Sequence, residues 1–209
     1  MSAKNYGWES EDAPRSCNFI APKVIQILRK LGVSTVLDVG CGNGALCGLL
    51  QREGFSVAGA EYDKAGCELA KKTYPNITFY HVGVYDSPGA ILQSAKDPFD
   101  CVVATEVIEH LFSPQFLPTF ASQVMKSNGH LVISTPYHGF LKNLMLSLLN
   151  HWDTHHTPLW EGGHIKFWSK KTLTVLLAQN GYNVLSFHGV GRMPYLWKSM
   201  IIVAQKKEV

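Results

Sequence analysis

Two carboxylates and an imidazole stand close together in Thr105-Glu106-Val107-Ile108-Glu109-His110. Glu106, Glu109 and His110 are spaced i, i+3 and i+4. A helical turn would carry all three on one face and send Val107 and Ile108 to the core. Such a set suits a divalent cation: carboxylates favour Mg or Mn, and a His ligand leaves Zn or Fe open. The plainer alternative gives the three residues separate tasks. Glu106 then lines a ligand pocket, Glu109 caps a turn, and His110 is a hydrogen-bonded core residue.

A second constellation lies upstream in Val36-Leu37-Asp38-Val39-Gly40-Cys41-Gly42-Asn43-Gly44. Here a buried strand runs through glycines into a helix, so that backbone can approach a ligand closely and a helix N-terminus adds N–H groups. Gly40, Gly42 and Ala45 satisfy the dinucleotide pattern G-x-G-x-x-[G/A]. Asp38 argues against that reading, because a carboxylate two residues before Gly40 suits a positively charged ligand better than a pyrophosphate.

The elements around these residues alternate. Apolar spacing predicts helices over 22–31, 45–52, 65–73 and 90–95, another between Ser113 and Lys126, and one over 170–179 ending at Asn180-Gly181. Ser113-Pro114 is the start signal of the fifth helix. Strands are predicted at 35–39, 55–60, 77–82, 100–104, 130–134, 183–188 and 200–204. Repeated strand–helix alternation means a doubly wound α/β sheet, mostly parallel, with helices on both faces. The acidic turn at 105–110 then falls at the C-terminal edge of the fourth strand, where open α/β sheets bind ligands.

The chain has 209 residues, 46% of them hydrophobic, and a formal net charge of +3. That length supports one substantial domain spanning 1–209 and excludes a mostly disordered chain. The small charge argues against a protein built mainly to grip nucleic acid, without excluding a local basic patch. Five cysteines, with no CxxC pair, are expected to be buried reduced thiols. The first twenty residues lack the apolar run of a secretory signal, so the expected location is cytoplasmic. Residues 1–18 are expected to be loose or to cover a site.

With Asp38 and Gly44 included, the glycine turn resembles motif I of the class I S-adenosylmethionine-dependent methyltransferases, [DE]-x-G-x-G-x-G. Val57-Ala58-Gly59-Ala60-Glu61 places an acid at the end of the second strand, where that family binds the ribose hydroxyls. Residues 99–103 and 128–136 resemble its fourth and fifth strands. The resemblance spans about Val33 to Pro136. It implies a Rossmann-like, seven-stranded sheet with a reversed final strand. It also implies that Asp38, Gly40, Cys41, Gly42, Gly44, Glu61, Tyr62, Asp86 and Glu106 hold S-adenosylmethionine. Asp86 comes slightly late for the acid that would meet the adenine amino group.

The E-x-x-E-H string is shared by ubiquinone-biosynthesis O-methyltransferases and by small-RNA 3′-terminal 2′-O-methyltransferases. The resemblance implies that Glu106, Glu109 and His110 bind Mg or Mn. His164-Ile165-Lys166-Phe167-Trp168 resembles an element that adds a second His in the RNA group, so His164 joins as ligand or as base. The acceptor expected on this basis is a small or lipid-like hydroxyl compound of quinol or catechol type. A small-RNA 2′-hydroxyl is the alternative. A catalytically silent cofactor-binding domain and a dehydrogenase are further readings, and Asp38 disfavours the last.

Residues 139–168 look like an insertion between the fifth strand and the C-terminal elements, a lid or acceptor-binding segment. Phe140, Leu141, Leu144, Met145, Leu148 and Leu149 form an apolar stripe opposite Lys142, Asn143, Ser147 and Asn150. The stripe either packs on the domain or serves as a lid or a peripheral membrane contact. His151, His155, His156 and His164 follow, interleaved with Trp152, Trp160 and Trp168. Their spacing fits no standard zinc pattern. One of them, or His138, is expected to meet the acceptor as a proton acceptor. Residues 130–209 carry eight Lys and Arg against three Asp and Glu, so this half is basic at +5. That suits an anionic lipid surface or an acidic amphiphile, and it keeps RNA open.

Overall fold

Val36-Leu37-Asp38-Val39 is apolar on both sides of the pleat except at Asp38, as a strand covered on both faces must be. It forms β1 (Thr35–Val39), in the interior of a seven-stranded sheet. The computed structural model describes residues 10, 12–156, 158–160 and 162–208. The helices are α1 (Cys17–Leu31), α2 (Ala45–Arg52), α3 (Lys64–Thr73), α4 (Gly89–Ser94), α5 (Phe116–Val124), α6 (Phe140–Leu148), α7 (Trp152–His156) and α8 (Lys170–Gln179). The remaining strands are β2 (Ser56–Glu61), β3 (Thr78–His81), β4 (Phe99–Thr105), β5 (Met125–Pro136), β6 (Tyr182–Val190) and β7 (Ser199–Lys206).

The sheet order is β3-β2-β1-β4-β5-β7-β6. β3 through β5 pair in parallel, and β7 lies antiparallel between β5 and β6. This is the expected Rossmann-like sheet with its reversed last strand. Chain direction of winding reverses between β1 and β4, which leaves a crevice beyond their C-terminal ends. Alternate residues fill the two sides. Val36, Val103, Val132 and Ile201 pack under α1 and α2, against Val24, Leu28, Leu46 and Leu50. Leu37, Val102, Leu131 and Ile202 face α4, α5 and α8, against Ile91, Phe120 and Leu173.

Several boundaries differ from expectation. α1 starts at Cys17 and carries Pro22 inside it. Burying Ile20 and Ala21 with Val24 and Leu28 outweighs the one missing hydrogen bond. The helix predicted from Ser113-Pro114 begins two residues later, at Phe116. β5 begins at Met125, where it meets Phe99, and then shifts register before pairing His130 with Cys101.

The sequence leaves α6 open between packing on the domain and an exposed lid or membrane contact. Its apolar stripe does not pack inward: Phe140 is 83% exposed and Leu148 70%, whereas Lys142 is buried. The Lys142 ammonium turns inward because it has partners there. Nζ donates to the Lys198 carbonyl at 3.3 Å, and the Glu106 carboxylate attracts it. Among the described residues no helix is long and apolar enough to cross a membrane.

Candidate active site

The glycine turn holds its shape through three left-handed backbones, with φ of 74° at Gly40, 54° at Gly42 and 77° at Gly44. A side chain would be strained at each position. At Gly40 a Cβ would also collide with the Val107 side chain. The Gly42 N–H donates to Glu61 Oε2 at 2.7 Å, and the Asp63 N–H donates to Oε1 at 2.7 Å. Both oxygens of Glu61 are therefore oriented by backbone and keep further lone pairs for hydroxyl donors. Burial raises the Glu61 carboxyl, and those N–H groups pull it back.

Asp38 is 1% exposed. Among the described residues its Oδ2 accepts only the Cys47 thiol, at 3.4 Å, and its buried Oδ1 has no partner. Burial pushes its carboxyl up to about 7, with the neighbouring Glu61 charge adding to the rise. A buried carboxylate oxygen without a donor fits a ligand that brings a positive charge or N–H groups. Asn43, which sequence reasoning passed over, donates from Nδ2 to the carbonyls of Ser10 and Asp12 at 3.0 and 2.9 Å. It thus pins the segment before α1 across the turn. Of residues 1–18, expected to be loose or to cover a site, residues 1–9 and 11 lie outside those described.

These groups open into a cavity of about 900 Å³ at the C-terminal ends of β1, β2, β3 and β4. Asp38, Gly40, Cys41, Glu61, Tyr62, Asp86 and Glu106 line it, and so do Pro14, Ser16 and Cys17 from the N-terminal side. Gly42 and Gly44 do not. Gly42 serves by holding Glu61, and Gly44 lets the turn pass close to Phe79 and Ala70. Asp86 lines the cavity but turns one oxygen back to its own loop, accepting from the Gly83 N–H at 2.8 Å.

The far wall is built by the acidic turn and the insertion. The turn is not the helix that would put Glu106, Glu109 and His110 on one face. Glu106 is left-handed, with φ of 54°, and only Ile108–His110 make a single 3-10 turn. The strain is held by neighbours: the Glu106 N–H donates to the Ser134 carbonyl at 3.1 Å. Its carboxylate accepts from the hydroxyls of Ser134 and Ser199 at 2.8 and 3.2 Å. Glu106 is therefore drawn toward β5 and β7.

The cluster that does converge is Glu109, His110 and His164, with ligand atoms all within 4.8 Å of one another. Glu106 is not in it. Glu109 Oε2 accepts from the Thr135 hydroxyl at 3.0 Å, while its buried Oε1 has no partner among the described residues. Burial and the nearby Glu106 charge hold its carboxyl well above the ordinary range. His110 Nδ1 donates to the Gly162 carbonyl at 2.8 Å, which places the lone pair on Nε2. That is how metal-bound imidazoles are commonly oriented. The Glu109 carbonyl accepts the N–H groups of Ile165 and Lys166 at 2.9 and 3.0 Å, tying the turn to the insertion. Burial, with the His110 charge next, pushes His164 down to about 4. An orphaned carboxylate oxygen beside two imidazoles fits a divalent cation.

His138 does not line this cavity. It stands apart, against His155, His156 and Phe167. Ser134, Thr135 and Ser199, which orient the two glutamates, were absent from the sequence prediction. A polar Ser134-Thr135 pair closing an apolar strand at the ligand edge was the readable signal for two of them; Ser199 had none.

A Rossmann-like sheet with a carboxylate-flanked glycine turn over its crevice is the architecture of S-adenosylmethionine-dependent methyltransferases. The family model described as a methyltransferase domain matches residues 11–187, and the chain belongs to that family. It is 28% identical over 167 residues to a ubiquinone biosynthesis O-methyltransferase of Ruegeria sp. (strain TM1040), covering 78% of this chain and 66% of that protein. It is 30% identical over 165 residues to the human mitochondrial ubiquinone biosynthesis O-methyltransferase, covering 77% of this chain and 44% of that protein. The chain thus spans about half to two thirds of the length of these two relatives. Magnesium protoporphyrin IX methyltransferase from Synechocystis PCC 6803, solved with S-adenosylhomocysteine, superposes with a TM-score of 0.64 at 18% identity. That match covers 90% of this chain and 82% of the other.

Proposed function

We propose that the protein O-methylates a small or lipid-like hydroxyl compound of quinol or catechol type, assisted by a divalent cation. The observation that carries this reading is one cavity whose near wall is Asp38 and Glu61 and whose far wall is His110 and His164 beside the orphaned Glu109 oxygen. S-adenosylmethionine would supply a methyl group already activated on a sulfonium. Asp38 is placed to meet its positive charge, and Glu61 to accept from its ribose hydroxyls. Mg or Mn would be held by Glu109, His110 and His164, and would supply Lewis-acid lowering of a hydroxyl pKa.

The chain's remaining task is alignment and proton removal. A carboxylate held above its ordinary range is a stronger base, and Glu106 lines the cavity in that state through burial. Glu106 is assigned as the proton acceptor. His164, pushed down to about 4, is a weak base and is better suited as a ligand. His138, outside the cavity lining, has no part in this assignment. A lipid-like acceptor agrees with the exposed apolar face of α6, which we assign to peripheral contact with a membrane surface.

The test is methyl transfer from labelled S-adenosylmethionine to a catechol-type quinol, with and without a chelator. Activity that falls on chelation and returns with Mg or Mn is expected; full activity in metal-free buffer refutes the metal role. The +5 charge of residues 130–209 favours RNA as the second reading. It predicts binding of a short RNA that weakens steeply with salt, and a salt-insensitive affinity counts against it.

A further inference from the structure

We propose that His138, His155 and His156 form a second metal site, for a borderline divalent ion such as zinc, separate from the Glu109–His110–His164 group. His138 follows β5, and the other two lie on α7. Their ligand nitrogens all fall within 4.8 Å of one another. His156 is 8% exposed, yet among the described residues neither of its ring nitrogens has a hydrogen-bond partner, and the buried Nε2 of His138 has none either, although the Asn143 side chain lies close enough to His138 to favour its charged form. A neutral imidazole carries one N–H and one lone pair. Burying both without partners is disfavoured unless something else takes the lone pairs.

The surroundings specify the ion. The His138 and His156 rings lie nearly parallel, 19° apart with centroids at 5.5 Å, and Phe167 packs edge-on to both. Trp152 covers His156 at 4.2 Å. The set contains no carboxylate, so Mg and Ca are poorly matched, whereas three imidazoles suit zinc. Burial, with the Lys142 charge next, pushes His138 and His155 down to about 4, leaving both rings neutral at physiological pH. Tetrahedral zinc bonds set nitrogens about 3.3 Å apart, so closure from 4.8 Å requires ring rotation. Water would take the fourth position. The Lys142 ammonium is the opposing charge. Such a site would staple the segment after β5 to α7 and brace the insertion that carries Trp160 and His164.

The experiment uses the full chain carrying His110→Ala and His164→Ala, which removes the other candidate site. Cobalt(II) is titrated in and displaced by zinc. One equivalent with the d–d absorption of a tetrahedral ion is expected. Adding His156→Phe or His138→Asn should weaken affinity at least tenfold, and adding Lys142→Met should tighten it severalfold. Should a variant fail to fold, zinc-induced shifts of the three imidazole ¹⁵N resonances in the unsubstituted chain decide the matter. Absence of stoichiometric binding, affinity indifferent to both His substitutions, weakening by Lys142→Met, or unmoved imidazole resonances would each overturn the proposal.

Discussion

Asp38→Asn should make the cofactor-free protein more stable and a worse binder, and the two effects can be separated by pH. An aspartate ordinarily titrates near 3.9; burial holds Asp38 at about 7 in the folded chain. Its folded pKa is raised, so the folded state binds more protons than the unfolded state between those values. Stability is therefore lost as pH rises from about 4 to about 7, and stays lost above. Between pH 5 and pH 8 the loss is about two pKa units, or about 3 kcal/mol. Asparagine carries no charge and removes this dependence, although its unmatched amide gives back about 1 kcal/mol or more. For a chain of this size, 1 kcal/mol moves Tm by about 2–4 °C. The variant's Tm advantage at pH 8 over pH 5 should therefore be about 5–10 °C, read by calorimetry on the cofactor-free protein. Its affinity for S-adenosylmethionine, by isothermal titration, should fall at least tenfold. A variant whose Tm difference from the parent is the same at both pH values would refute the reasoning, as would unchanged cofactor affinity.

Three other predictions concern different parts of the molecule. Gly40→Ala meets both the left-handed backbone and the Val107 side chain. It should destabilise by about 1–3 kcal/mol in a denaturant titration and abolish cofactor binding. Asp100 accepts from the N–H groups of Ser34 and Thr35 at 2.8 Å and from Lys126 at 2.6 Å. Burial would raise its carboxyl, but those donors hold it well below the ordinary range. Asp100→Ala should cost about 2–3 kcal/mol. Because a depressed folded pKa supports stability above the unfolded value and loses it as pH falls, the deficit should shrink in acid melts below about pH 4. Leu144→Glu with Leu148→Glu changes only the exposed face of α6; co-sedimentation with anionic vesicles should be lost while Tm stays within about 2 °C.

The sheet was readable because its strands are apolar on both faces and its helices keep a 3.6 period, so both periodicities point to one layered solution. The glycine turn was readable because left-handed backbone demands glycine at Gly40, Gly42 and Gly44. The acidic turn was less so. Its spacing matched a helix, but Ser134 and Ser199 capture Glu106 from strands that the local sequence does not reveal. α6 could be read only in part for a related reason. Its period was correct, yet the side that faces inward was chosen by Lys142, whose partners at Lys198 and Glu106 are remote in sequence. His138 was one of five histidines offered as meeting the acceptor, and no local signal showed that it would stand against His155 and His156.

The tie between the Glu109 carbonyl and the N–H groups of Ile165 and Lys166 gives the site an order of assembly. Asp38, Gly42 and Glu61 meet across about twenty residues of chain, whereas Glu109 waits for partners more than fifty residues away. Loop closure over the longer distance is slower. On a ribosome, where N-terminal elements fold first, the cofactor wall has all of its residues before the insertion that completes the acceptor wall has been synthesised. The residues expected to hold the methyl donor are thus synthesised before those expected to select what receives it.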